Sequence, residues 1–282
     1  MGSIKQGIEI VEASIAAAKA KASSGAVKLT ILGILAGAFI ALAAHASNMA
    51  GFNLLASADT YGLGRAVAGA IFPVGLMLVV IAGAELFTGN TLMAGAVIKR
   101  EISFGAMLRN WGIVYAANLC GSLLIVAMID ASGLLHAGGE LLGGVTIKIA
   151  AGKTALSFGN AFVLGILCNW LVCLAVWMAF AATGMTGKLF AIFFPIWLFV
   201  TSGFEHSVAN MYYIPAGIIA KANDAYVQAA QSIGVTDAAL GGLTWQGFFV
   251  GNLVPVTMGN IVGGSLLVSV AYLVAYGVKS KP

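Results

Sequence analysis

Charged side chains are nearly missing from this chain: they make up 9% of its 282 residues, against 60% hydrophobic, and the mean hydropathy is +0.99. A soluble domain carries about 25% charge, so that class is excluded and an integral membrane protein embedded in a lipid bilayer is indicated. Cysteine is also sparse. Cys120, Cys168 and Cys173 lie inside apolar runs with no CxxC or Cys/His spacing, which argues against a disulfide framework or a metal site. No cofactor fingerprint and no nucleophile paired with a base appears, so neither an enzyme nor a cofactor is expected. The small basic excess, net +4, is spread through the chain and gives no reason to expect nucleic acid.

Long apolar runs are what the chain does have. Charge is absent from Leu29 to Ala58, Asn110 to Ile129, Thr154 to Gly187 and Leu243 to Val278, each longer than the roughly 20 residues that cross a bilayer. Two further runs, Ala66 to Ile98 and Leu189 to Ala220, are each interrupted by a carboxylate. A straight helix of that length would reach roughly 50 Å against a hydrocarbon core of about 30 Å, so both read as broken helices and the total is six spans. Residues 1–28 lack the apolar core of a secretory signal. Ile4, Ile8, Val11 and Ile15 recur there opposite Lys5, Glu9, Glu12 and Lys19, the pattern of a cytoplasmic amphipathic segment ahead of a single channel domain over 29–282. Basic residues set orientation. Lys5, Lys19, Lys21, Lys28, Lys99, Arg100, Arg109, Lys188, Lys279 and Lys281 fall on the amino-terminal side, and Arg65, Lys148, Lys153 and Lys221 on the other. That bias puts both termini in the cytoplasm, in a plasma (inner) membrane.

The sequence also repeats itself. GILAGAFIALA at Gly33 to Ala43 matches GILCNWLVCLA at Gly165 to Ala175, and GAELFTGN at Gly83 to Asn90 matches GFEHSVAN at Gly203 to Asn210. Trp111 with Asn118, then Gly121-Ser122-Leu123-Leu124, parallels Trp245 with Asn252, then Gly264-Ser265-Leu266-Leu267. The repeats cover about 29–130 and 154–278. Three spans is an odd number, so the second copy lies inverted and the two broken helices face each other across a central polar site. Interrupted backbone is tolerated in a membrane only where protein or a cavity surrounds it.

The breaks carry the chemistry. A carboxylate facing a pore would repel anions, whereas Glu85 turned into the wall can anchor the loop; its recurrence as Glu205, each followed five residues later by Asn90 or Asn210, favours the wall for both. His206 follows Glu205 inside a break, and an ionisable side chain in such a place is expected to act on the solute. His45 and His136, read as near helix ends and in a loop, are expected at the interface. Phe72, Leu76, Leu86, Phe87, Val172 and Phe199 lie close to the breaks and can form hydrophobic constrictions as well as ordinary packing. Gly33 with Gly37, and Gly259 with Gly263, have small-xxx-small spacing, expected to pack the two repeats together.

AGAELFTGN (Ala82 to Asn90) and GILCNWLVCLA resemble the two signatures of the formate/nitrite transporter family, and SGFEHSVANMY (Ser202 to Tyr212) is similar to its histidine-bearing loop. The resemblance extends over nearly the whole chain. It implies an all-α, aquaporin-like protomer in a homopentamer, each subunit with its own pore for a small monovalent anion such as formate, nitrite or hydrosulfide. Carried over, it makes His206 the central pore histidine with Thr88 and Asn169 beside it. Phe72, Phe199 and Val172 match an outer constriction, and Leu76, Leu86 and Phe87 an inner one. Lys153, with Lys148 nearby, matches a basic outer approach. The chain resembles most the hydrosulfide-channel branch, but formate and nitrite members share the same histidine and phenylalanines, so the ion stays open. Proton-coupled transport would use the same site. An aquaporin-like neutral-solute channel shares the architecture, yet its paired Asn-Pro-Ala motifs are absent and only Ile214-Pro215-Ala216 comes near.

Overall fold

In a computed structural model, residues 4–276 are described, and every regular element among them is helical. Lys279, Lys281 and the end of the expected second repeat lie outside the described residues. The helices run α1 (Ile8–Ala22), α2 (Ala26–Ala56), α3 (Tyr61–Gly83), α4 (Phe87–Ile98), α5 (Phe104–Ala131), α6 (Leu141–Thr154), α7 (Phe158–Ala181), α8 (Met185–Ser202), α9 (Ser207–Ala220), α10 (Asp224–Ser232), α11 (Asp237–Gly242) and α12 (Gly247–Ala275). Six of these, α2, α3, α5, α7, α8 and α12, are long and apolar enough to cross a membrane. The second and fifth spans continue past their breaks as α4 and α9, which gives two inverted repeats of three spans.

Both breaks are made the same way. Gly83 (φ 84°) and Gly203 (φ 82°) adopt the left-handed conformation that ends a helix and favours glycine. The chain then runs extended through Glu85 and Leu86, or Glu205 and His206, before α4 or α9 begins. This explains Gly-x-Glu in both copies: the glycine turns the chain, and the glutamate sits on the extended stretch. Ser103 and Ser157 cap α5 and α7 by accepting the amides of Ala106 and Asn160.

Packing is closest between first and third spans of one repeat. A Cβ added at Gly37 would sit 2.0 Å from the Asn118 carbonyl oxygen, and one at Gly259 would sit 2.1 Å from that of Phe162. The small-xxx-small glycines therefore seat α2 on α5 and α7 on α12, within each repeat. They do not join the repeats, as their spacing suggested, because each lies against its own repeat's partner backbone.

Candidate functional site

Each break is tied down by a set of largely buried polar side chains, and the two sets pair the same residue types in the same places. Glu85 Oε2 accepts from Lys21 Nζ at 2.8 Å and Asn90 Nδ2 at 2.7 Å; Glu205 accepts from Lys153 Nζ at 2.7 Å and Asn210 Nδ2 at 2.7 Å. Asn90 and Asn210 donate in turn to Asn110 and Asn252 at 2.8 and 2.7 Å. Asn118 Oδ1 accepts the first amide of α4, from Phe87, while its Nδ2 donates to the carbonyls of Gly33 and Glu85. Asn260 does the same for Ser207, Gly165 and Glu205. The amides of Glu85 and Glu205 donate to Leu32 and Leu164. Backbone released by the missing turns is satisfied inside the wall, as the absence of water requires.

These bonds correct the alignment of the third and sixth spans: Asn118 corresponds to Asn260, and Asn110 to Asn252. Trp245 had suggested the other register because an aromatic at a span's start is a weak marker. The asparagines stand eight residues apart in both spans, and that spacing was the signal in the sequence. Lys21 of α1 corresponds to Lys153 of α6, so a short helix precedes the three spans in each half.

The two half-helices meet where the repeats differ. His206 Nδ1 accepts the Ala209 amide at 2.9 Å and caps α9. A neutral ring then carries its proton on Nε2, 2.9 Å from Thr88 Oγ1 on α4. Thr88 is fully buried and His206 is 3% exposed. Asn169 Nδ2 lies within 3.2 Å of the Thr88 carbonyl, Thr91 Oγ1 and the Asn260 carbonyl. By the register above, the counterparts of His206, Thr88 and Asn169 are Leu86, Val208 and Gly37. The wall is duplicated; the polar contact at the centre is not.

A cavity opens on each side of that contact. The one beside Lys21 has about 590 Å³ and is lined by Leu76, Leu86, Glu85 and residues of α1. The one beside Lys153 has about 40 Å³ and is lined by Phe72, Phe199, His206 and Arg65. Phe72 and Phe199 pack edge to face at 5.6 Å, and Phe199 lies 6.0 Å from His206. Phe87 and Val172 line neither cavity; the Phe87 ring packs against Trp111 and Tyr115 instead. Lys148 is also displaced from its expected place, because its ammonium donates to the Leu55 and Ala56 carbonyls and closes the carboxyl end of α2. His45 is buried within α2 with Nδ1 3.0 Å from Tyr212 Oη, not interfacial, since α2 runs eleven residues beyond it. His136 is exposed beside Glu140.

The profile of formate/nitrite transporters matches residues 8–274. The chain belongs to the formate/nitrite transporter family. A probable formate transporter of Methanothermobacter thermautotrophicus is 40% identical over 277 residues, covering 93% of each chain. A pentameric formate channel solved with formate bound superposes with a TM-score of 0.75 at 37% identity, covering 89% of this chain and 97% of that one. An ion channel of the same family gives 0.77 at 31% identity, covering 95% and 99%. Membership makes the chain a multi-pass membrane transport protein and gives the polar contact between two cavities its context.

Proposed function

We propose that this chain is a channel for small monovalent weak-acid anions, with formate as its first substrate and a separate pore in each subunit of a homopentamer. The observation that carries the reading is the Thr88–His206 contact, set between an apolar Phe72–Phe199 pair on one side and Leu76 with Leu86 on the other. A hydrated ion is disfavoured at the apolar steps, while an anion that sheds water finds donors between them. Thr88 accepts from His206 and keeps its own hydroxyl proton to offer. The imidazole offers a second donor if the solute displaces Thr88, and can pass a proton to a weak acid. Lys153 and Lys21, each paired with a glutamate, mark the two approaches, where the ammonium can still offer N–H donors to a passing anion. Glu85 and Glu205, with Asn90 and Asn210, are read as wall anchors. The basic bias of the α1 side supports a cytoplasmic placement of that face.

Formate leads over hydrosulfide and nitrite because relatives that cover nearly the whole chain are formate channels and transporters by name. The test is solute entry into proteoliposomes, comparing formate, hydrosulfide, nitrite, chloride and glycerol under matched gradients from pH 5 to 8. Fast formate entry with glycerol excluded is expected. Glycerol entry without anion entry would refute the anion pore, and formate accumulation against its gradient would replace passive conduction with proton-coupled transport.

A further inference from the structure

The Lys153-side cavity contains a polar group that neither the wall nor the central contact uses. Asn48 of α2 lines this cavity and is 3% exposed, and its Nδ2 has no hydrogen-bond partner among the described residues. Its neighbours on the helix are engaged: His45 meets Tyr212, and Ser47 donates to the Ala68 carbonyl at 2.7 Å. A buried amide left open is costly unless something in the cavity completes it. Rotation about its last side-chain bond exchanges the amide nitrogen and oxygen, so either end can be offered to an occupant.

The repeat supplies a second observation. The register that pairs Lys21 with Lys153 pairs Asn48 with Phe180, and Phe180 lines the opposite cavity. The same position in the fold is aromatic on one approach and a hydrogen-bonding amide on the other, so the scaffold does not demand the amide. The surroundings indicate what it meets. Arg65, whose guanidinium meets only backbone carbonyls among the described residues, brings positive charge to this cavity beside the Lys153–Glu205 ion pair, and Phe72 and Phe199 form its apolar floor. A volume of about 40 Å³ holds a few waters or one small ion, since a single water needs about 10–15 Å³ on this measure.

We infer that Asn48 is a recognition residue for small carboxylate or oxoanions, donating an N–H to the ion as it waits outside the Phe72–Phe199 pair and gives up water. The inference rests on the anion-channel reading above. An amide donor bonds a carboxylate oxygen far better than the diffuse sulfur of hydrosulfide, so Asn48 biases the pore toward formate. Asn48→Leu removes the donor, and Asn48→Asp keeps the shape while replacing the donor with an acceptor. In proteoliposomes, with pentamer assembly checked by size exclusion, the half-saturating formate concentration should rise about tenfold in Asn48→Leu, the worth of one charge-assisted hydrogen bond, and further in Asn48→Asp. Hydrosulfide entry should change less than about twofold, since the lost bond is one it barely makes. Equal effects on both ions, or unchanged formate saturation in whichever variant assembles, would overturn the role of Asn48. Wild-type protein that carries no formate would instead overturn the channel reading itself.

Discussion

His206 uses its two ring nitrogens for different tasks, and substitutions can separate them. Nδ1 caps α9 and Nε2 reaches Thr88. His206→Ala removes both, costing about 1 kcal/mol for the cap and about tenfold in formate flux for the donor. His206→Asn restores a capping acceptor without a titratable ring. It should recover thermal stability while leaving flux low and its pH profile flattened, and wild-type-like entry from pH 5 to 8 in both variants would refute the role of the imidazole. His206 was legible because an ionisable residue inside a break is conspicuous. The roles of Asn48, Asn118 and Asn260 were not, since an asparagine inside an apolar helix looks alike whether it clamps a loop, faces a cavity or packs. Lys148 misled for the opposite reason: a lysine near a pore mouth suggests ion attraction, and only the structure reveals the helix end it closes.

At the scale of elements, the extended stretch ahead of α4 or α9 depends on one asparagine from the third span of its repeat. Asn118→Leu or Asn260→Leu strands two backbone groups of the break, the Phe87 amide and Glu85 carbonyl or the Ser207 amide and Glu205 carbonyl, at about 1–3 kcal/mol apiece. Both variants should fail to assemble or should lose most of their thermal stability, and normal melting in either would show that water replaces the clamp. Glu85→Ala and Glu205→Ala should also assemble poorly, since Lys21 or Lys153 and an asparagine would lose their acceptor. Two well-assembled pentamers with altered ion selectivity would instead put these carboxylates in the conduction path. The broken spans were readable from length and a repeated Gly-x-Glu. The amino-terminal helix as counterpart of α6 was not, because the two share little beyond a lysine whose partner is a glutamate far along the chain, on the extended stretch of a break.

For the whole molecule, the decisive feature is that each clamp closes within its own half. Every partner of Glu85, Asn90 and Asn118 named above falls between Lys21 and Asn118, and every partner of Glu205, Asn210 and Asn260 between Lys153 and Asn260. The Thr88–His206 contact and the bonds of Asn169 to α4 cross between halves. A ribosome delivers the amino-terminal half first, so its broken helix must rest in the bilayer before its counterpart exists. With the clamp already complete, the extended stretch through Glu85 and Leu86 can wait there with its Glu85 and Phe87 backbone groups already bonded. Two polypeptides divided in the segment between Ser132 and Glu140, expressed together, should therefore find each other in the membrane and copurify as a conducting assembly. A requirement for one continuous chain would mean that the halves insert together.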